Sequence, residues 1–440
     1  MNAPAIIFTI LAGLFLFRLD RHWAALPLLM GATYMAIGQN VALGPFHFTV
    51  IRILVAIGVA RVALRGERIT GGINTLDRLT IFWALWCVLS SFFHKDFSQA
   101  LVYRLGLAYD ALGLYFLFRV FIPDTASVVG ISKMVVIALV PVALEMMTET
   151  ATGRNSFSLL GGVGPLTEIR GGKIRAQGPF AHSILAGTVG AVCLPMALLF
   201  WQRNRKVALL GVMATGSMVL CSRSSGPIMT AFFAVAGVCL WKFRKYMRLL
   251  RWTVLLGLIG LNLVMNAPVY YLLNRINLTG KSDSFHRAVL IDSAIHHFDE
   301  WWVGGTDYTR NWTADGGWTE SDTDITNYYI KMGVLGGLPM MLLFISMLVA
   351  AFRMIGKALP AGETASDGEG FVYWTLGSTL FGHASAMISV SYFDQSVVFL
   401  YLALAAIGSI QRRPQTEPLQ YHEEETMVLV SDERDFCNHS

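Results

Sequence analysis

The chain has 440 residues, of which 54% are apolar and only 14% charged, with a net charge of +5. An ordinary soluble domain carries roughly 25% charged residues, so a soluble fold of this size would lack the charge to cover its surface. The basic excess sits at the ends of apolar runs, where orientation in a membrane requires it, and this argues against nucleic acid as a partner.

In chain order the apolar runs place candidate spans at 3–17, 23–43, 46–64, 78–93, 100–122, 127–147, 182–201, 207–221, 226–241, 249–265, 328–352, 371–391 and 397–410. A helical span needs about 20 mostly apolar residues, and the runs lack the alternation of a barrel strand. The expected fold class is therefore all-α, a polytopic membrane helix bundle of about 12–13 spans with a large external loop. The run Ala3–Phe17 has no preceding basic residue and no small-x-small cleavage site, so it reads as a first span rather than a signal peptide. Four cysteines (Cys87, Cys193, Cys221 and Cys239) lie in or at the ends of apolar runs, and Cys437 lies near the C-terminus. None of them falls in the large loop, which leaves no disulfide framework and no CxxC metal pattern.

The resulting layout is ten spans in 1–265, a loop over 266–327, three spans in 328–410 and a polar tail over 411–440. If the spans alternate, the basic clusters at Arg18 and Arg21, Arg61 to Arg68, Arg203 to Lys206, Lys242 to Arg251, Arg353 and Lys357, and Arg412 and Arg413 share one side. By the positive-inside rule that side is the cytoplasm, with the N-terminus periplasmic and the C-terminus cytoplasmic. Residues 358–370 read as a linker, and the acidic tail with Glu423, Glu424 and Glu425 reads as disordered. The GGxG at Gly161–Gly164 has no strand before it and reads as turn chemistry rather than a nucleotide loop.

The residues that break the orientation rule carry the most information. Arg52 and Arg104 fall about 6 and 5 residues inside the outer ends of their spans, roughly 8–9 Å deep. Arg154, Arg170, Lys173 and Arg175 crowd the first outer loop; Arg223 occupies a short turn; Arg275, Lys281 and Arg287 follow in the large loop. Some of these would snorkel to headgroups or pair with carboxylates such as Asp110 or Glu145. As a set from five outer segments, they suit a phosphate or diphosphate site at the membrane surface, because guanidinium groups bind such groups bidentately and stay charged.

Within the large loop, Ser282 to Phe298 reads as an amphipathic helix, capped by Ser282, Asp283 or Ser284. Its apolar stripe is Phe285, Ala288, Val289, Ile291, Ile295 and Phe298. Trp301, Trp302, Tyr308, Trp312 and Trp318 suit interfacial anchors or flat walls against sugar faces. Asp322 and Asp324 close the loop, a spacing that fits a divalent cation or one general base. The adjacent His296 and His297 diverge on a helix and make a poor zinc pair.

Four stretches carry a resemblance to a known family. They are Arg175-Ala-Gln-Gly-Pro-Phe-Ala-His182; Ser222-Arg-Ser-Ser-Gly226; Arg287 followed by Trp302-Val-Gly-Gly305; and Asn327-Tyr-Tyr-Ile-Lys-Met-Gly-Val-Leu-Gly-Gly337. In order and placement they resemble the O-antigen ligase and O-antigen polymerase superfamily of bacterial envelope polysaccharide enzymes, over most of the chain from about residue 80 onward. The resemblance implies a C-type glycosyltransferase-like bundle in the bacterial inner membrane. Its reaction would be inverting, metal-independent and free of cofactors, moving a glycan from a polyprenyl-diphosphate carrier to an acceptor hydroxyl. It also implies the lipid bilayer and polysaccharide export or chain-length proteins as partners. Family ligases place a His-Asn pair before the last quoted stretch, where this chain has Asp324-Ile-Thr-Asn327. The base is then Asp324, His286 or His182, while Arg104, Arg175, Arg223, Arg287, Asn327 and Trp302 bind substrate. The missing histidine favours a polymerase over a ligase and keeps a non-catalytic partner in play. A flippase or transporter is the alternative from another class, with Arg104 and Asp110 as the intramembrane charged residues it needs.

Overall fold

The computed structural model describes residues 1–275, 284–312, 323–359 and 368–410, with side chains described for fewer residues on either side of the first break. Several expectations lie outside them: the caps Ser282 and Asp283, Lys281, Trp318, Asp322, most of the linker and the whole tail with Cys437. The side chains of Arg275, Ser284 and Phe285 are likewise outside the described set.

Met1–Ile410 forms one compact unit, and it is mostly helical. The helices are α1 (Ala3–Arg18), α2 (Ala25–Tyr34), α3 (Val50–Arg65), α4 (Thr75–Leu89), α5 (Phe97–Phe121), α6 (Thr125–Thr152), α7 (Ser183–Leu198), α8 (Arg205–Cys221), α9 (Ser225–Cys239), α10 (Met247–Val264), α11 (Ser284–His296), α12 (Phe298–Trp301), α13 (Tyr328–Ala358), α14 (Glu369–Ala386) and α15 (Ser396–Gly408). Two small antiparallel hairpins complete it, β1 (Asn40–Leu43) with β2 (Phe46–Thr49) and β3 (Ile169–Arg170) with β4 (Lys173–Ile174). Among the described residues, five helical stretches are long and apolar enough to cross a membrane: Thr75–Phe93, Phe97–Phe121, Thr125–Thr152, Ser225–Val264 and Tyr328–Ala358. Leucine, isoleucine and phenylalanine side chains face outward from many helices, as a lipid-exposed bundle requires.

Polar caps start the helices where the sequence changes character. Asn2, Thr49, Asn74, Asp96, Asp124, Asn204 and Asn327 each accept a backbone N–H of the following first turn. Gly66 and Gly153, both left-handed, end α3 and α6. The stretch from α9 to α10 is helical throughout, joined by a 3-10 turn over Leu240–Tyr246.

The long helices alternate in direction, which follows from what their ends touch. At one end Gln395 before α15 donates to the Met35 carbonyl after α2, and Gln39 donates to Leu160 beyond α6. There too the Ala176 amide reaches Cys221 at the end of α8, and the Tyr328 amide reaches Met387 after α14. At the other end Asn74 before α4 donates to Gly408, Arg21 to Val120 and Arg68, and Arg203 to Gly368. The basic clusters around α1, α3, α7–α8 and α13–α14 therefore gather at the end away from the 175–182 segment. That end is braced by fully buried Arg119, which pairs with Asp77 at 3.0 Å and donates to Ser409, while Tyr115 donates to the same carboxylate.

The large loop packs on the bundle through a small apolar cluster of Leu290, Ala294, Trp301, Trp312 and Ile330. α11 thus buries Ala288, Leu290 and Ala294, whereas Ile295 and Phe298 of the expected stripe are exposed. The buried face is turned from the one drawn from periodicity because Trp301 and Trp312, rather than the helix's own Ile295, fill the space beneath it. Trp301 and Trp312 are core residues and not interfacial anchors; Trp302 and Tyr308 are exposed.

α13 is two helices joined at a break. Gly336 and Gly337 have non-helical backbone, and Gly337 (φ 74°, ψ −178°) takes a conformation open to glycine alone. Loop residues fill the gap: the Thr306 amide bonds Val334, and the Leu338 amide bonds Trp302. Trp86 donates to the Gly336 carbonyl at 2.7 Å. Arg104, buried inside α5, donates to the Leu335 carbonyl freed by the break and contacts His94, which pairs with Asp307.

Candidate functional site

The loop between α6 and α7, the turn between α8 and α9, the start of α11 and the segment before α13 meet at the end of the bundle away from the basic clusters. Arg175 anchors the meeting point. It is buried, its Nη1 lies 3.2 Å from Glu168, and its Nη2 donates to Ser224 at 2.6 Å. Ser224 belongs to the Ser222–Gly226 turn, where Arg223 is exposed and takes a left-handed backbone (φ 46°) rare for a residue with a side chain. Among the described residues the Arg223 side chain makes no hydrogen bond or ion pair. Gly226 opens α9; a Cβ there would lie 3.9 Å from Nη2 of Arg287 and 3.5 Å from the Ser389 hydroxyl. Arg175, Arg223 and Arg287 thus come from three segments to the N-terminus of α9, where the helix dipole adds positive potential.

The histidines differ in what their rings can do. Nδ1 of His182 accepts the Ile184 amide at 3.2 Å as the cap of α7, and Nε2 lies 3.5 Å from Glu168. A neutral His182 therefore carries its proton on Nε2 and acts as a donor, with no lone pair left for a base. Burial and then the neighbouring Arg175 hold its pKa below the ordinary histidine value, against the pull of Glu168 and Asp324. His286 has the opposite arrangement. Its Nε2 lies 2.9 Å from the Asp324 carbonyl and donates to it, which leaves the Nδ1 lone pair available when the ring is neutral. The Asp324 carboxylate lies in electrostatic range of both His182 and Lys331.

Of the expected site residues, the structure brings together Arg175, His182, Arg223, His286, Arg287 and Asp324. Arg104 stands apart, committed to Leu335, His94 and Ser90 at the break in α13. Asp110 is paired bidentately with Arg52, at 2.9 and 2.7 Å, the kind of arginine–carboxylate pairing expected of it. Asn327 spends its side-chain oxygen on the amides of Tyr329 and Ile330 as the cap of α13. Trp302 meets the α13 break through its backbone carbonyl. His296 and His297 diverge as expected, the first toward Asp292 and the second toward Glu300 and the Trp312 ring.

Sequence reasoning passed over Glu168, Glu149 and Asp394, and quoted Ser224 and Lys331 only as members of longer motifs. Glu149 carried a signal, a carboxylate near the end of an apolar run. Asp394 sits in a short polar turn with no motif around it. Comparison with protein-family models, with curated proteins and with solved structures finds no match to this chain.

Proposed function

We propose that this chain is a membrane glycosyltransferase of the O-antigen polymerase kind, transferring glycan from a polyprenyl-diphosphate carrier to an acceptor hydroxyl. The observation that carries the proposal is the convergence of Arg175, Arg223 and Arg287 on the start of α9 beside His286 and Asp324. A departing diphosphate needs positive charge where its own charge develops, and preorganised guanidinium groups with a helix N-terminus supply it. In the proposed step the acceptor oxygen bonds the anomeric carbon while the bond from that carbon to the diphosphate oxygen breaks. The electron pair leaves with the diphosphate, and the hydroxyl proton passes to Nδ1 of His286. Asp324 fixes His286 through its carbonyl, and in this reading its carboxylate accepts a hydrogen bond from the acceptor sugar. His182 serves as a donor through Nε2 rather than as the base.

The basic end of the bundle is assigned to the cytoplasm of a bacterial inner membrane, so the site opens on the periplasmic face. Lipid-linked donors present their diphosphate there, next to the bilayer. Export or chain-length proteins would receive the product. The test is purified protein with a polyprenyl-diphosphate oligosaccharide from the source cells. A lengthened glycan supports a polymerase, transfer to a different acceptor a ligase, and movement across a vesicle without a new bond a flippase. Arg175→Ala, Arg223→Ala and Arg287→Ala are each expected to lower transfer by about 10²-fold, with lysine restoring part of it. Full activity in all three would remove the diphosphate site.

A further inference from the structure

The segment from Arg175 to His182 has almost no regular structure, yet several of its backbone polar groups, from Gln177 to Ala181, are bonded by side chains from other parts of the bundle. Glu149, fully buried near the end of α6, accepts the amides of Gln177 at 3.1 Å and Gly178 at 2.8 Å. Its other oxygen accepts the Thr167 hydroxyl at 2.9 Å, one residue from Glu168. Gly178 is left-handed (φ 57°), which turns two successive amides toward the same carboxylate oxygen. Asn155 donates to the Gly178 carbonyl at 2.7 Å. At the other end of the segment, Asp394 is buried; one oxygen accepts the Ala181 amide at 3.1 Å and the other the Ser396 amide at 2.8 Å. Next to it Gln395 donates to the Pro179 carbonyl at 2.8 Å.

We propose that Glu149 and Asp394 are positioning residues that each set one member of the site: Glu149 places Arg175, and Asp394 places His182. This inference rests on the glycan-transfer reading. The division follows from the chain. Glu149 grips both strands of the β3–β4 hairpin's flanks, at Thr167 and at Gln177–Gly178, and these flank the Glu168–Arg175 pair. Asp394 grips the residue before His182, whose ring must cap α7 while presenting Nε2. Each carboxyl group offers an acceptor oxygen to all of the polar groups it holds, whereas an amide side chain has one acceptor oxygen and presents an NH2 group on its other side, so each acid fixes its half of the segment more completely than the amide would. A displacement of about 1 Å in such groups is enough to cost two orders of magnitude in rate.

Glu149→Gln and Asp394→Asn replace one acceptor oxygen by an NH2 group while keeping size. For Glu149→Gln we expect binding of polyprenyl diphosphate in detergent micelles and turnover at saturation both to fall about tenfold, because Arg175 meets the diphosphate before and during its departure. For Asp394→Asn turnover alone falls, by about tenfold, and binding stays within about threefold. Hydrogen exchange reads the placement without substrate. The amides of Gln177 and Gly178 should lose protection in the first variant and that of Ala181 in the second. Thr167→Val and Gln395→Met probe the same two halves more gently and should show the same split at smaller size. Equal loss of binding and turnover in both variants, or no loss in either, overturns the division of roles. So does exchange that loosens the whole segment together. Wild-type protein that does not bind polyprenyl diphosphate overturns instead the functional reading, and leaves the two carboxylates as braces of a loop.

Discussion

At His286 the two ring nitrogens have separate tasks, and the assignment of the base depends on that separation. Nε2 is spent on the Asp324 carbonyl, so any proton the ring takes from substrate must arrive at Nδ1. Replacing His286 by alanine is expected to lower transfer by about 10²–10³-fold, whereas Asp324→Asn keeps the carbonyl and should cost about tenfold. Unchanged transfer in both would leave the site without an assigned base. His182 makes a different prediction, one of stability. Its pKa is held low in the folded protein by burial and by Arg175, so the unfolded chain binds that proton more readily. The stabilisation is complete above the ordinary histidine value of about 6.5 and is lost as pH falls through it toward the lowered one. His182→Asn keeps a capping acceptor and has no such titration. Between pH 7 and 5.5 the thermal unfolding midpoint in detergent should fall further for wild type than for His182→Asn.

Among the elements, the broken helix α13 is where backbone chemistry ties the large loop to the bundle. Gly337 lies against the backbone of the loop, and a Cβ there would come to 2.8 Å from the Gly304 nitrogen as well as meeting the Val303 carbonyl. Its φ of 74° with an extended ψ is costly for any residue with a side chain. Gly337→Ala is therefore expected to destabilise the protein by about 3 kcal/mol and to release residues 302–307. Limited proteolysis of the loop would detect that release, and an unchanged cleavage pattern with an unchanged midpoint would contradict it. The loop's far side is pinned too. Burial works against ionisation of Asp307, but His94 and the Lys95 amide outweigh it and hold its pKa below the usual carboxylate range. This element shows where the sequence was readable and where it stopped being so. The Gly336-Gly337 pair was visible as part of a motif, and Arg104 as a charge inside a span. That the arginine serves the carbonyl freed by the glycines, about 230 residues later in the chain, is a tertiary fact that no local pattern encodes. The rotated face of α11 is a similar case, because its periodicity allowed several apolar stripes and the packing of Trp301 and Trp312 selected one.

For the whole molecule, the helical bundle was legible in outline because a bilayer imposes one length and one composition on every crossing, and the five described stretches long and apolar enough to cross fall on expected runs. The site was half legible. Arg175, Arg223 and Arg287 stood out as charges on the unexpected side, but Glu149 and Asp394 act through backbone amides, and hydrogen bonds to backbone leave no signature in the partner's sequence. The orientation itself is a prediction at this scale. Leu166, in the loop before the β3–β4 hairpin, is 78% exposed, and Lys242 is exposed between α9 and α10. The positive-inside rule puts the first outside and the second inside. In intact spheroplasts, a membrane-impermeant thiol reagent should label Leu166→Cys above the wild-type background. Lys242→Cys should match that background until the membrane is opened. The wild-type control matters because Cys239 is exposed near the same end as Lys242 and should behave as an internal marker for that face. Labelling of Lys242→Cys in sealed cells, with Leu166→Cys protected, would turn the site to the cytoplasm. There the polyprenyl-diphosphate reading would lose its donor pool, and a sugar nucleotide would have to be reconsidered as the glycan source.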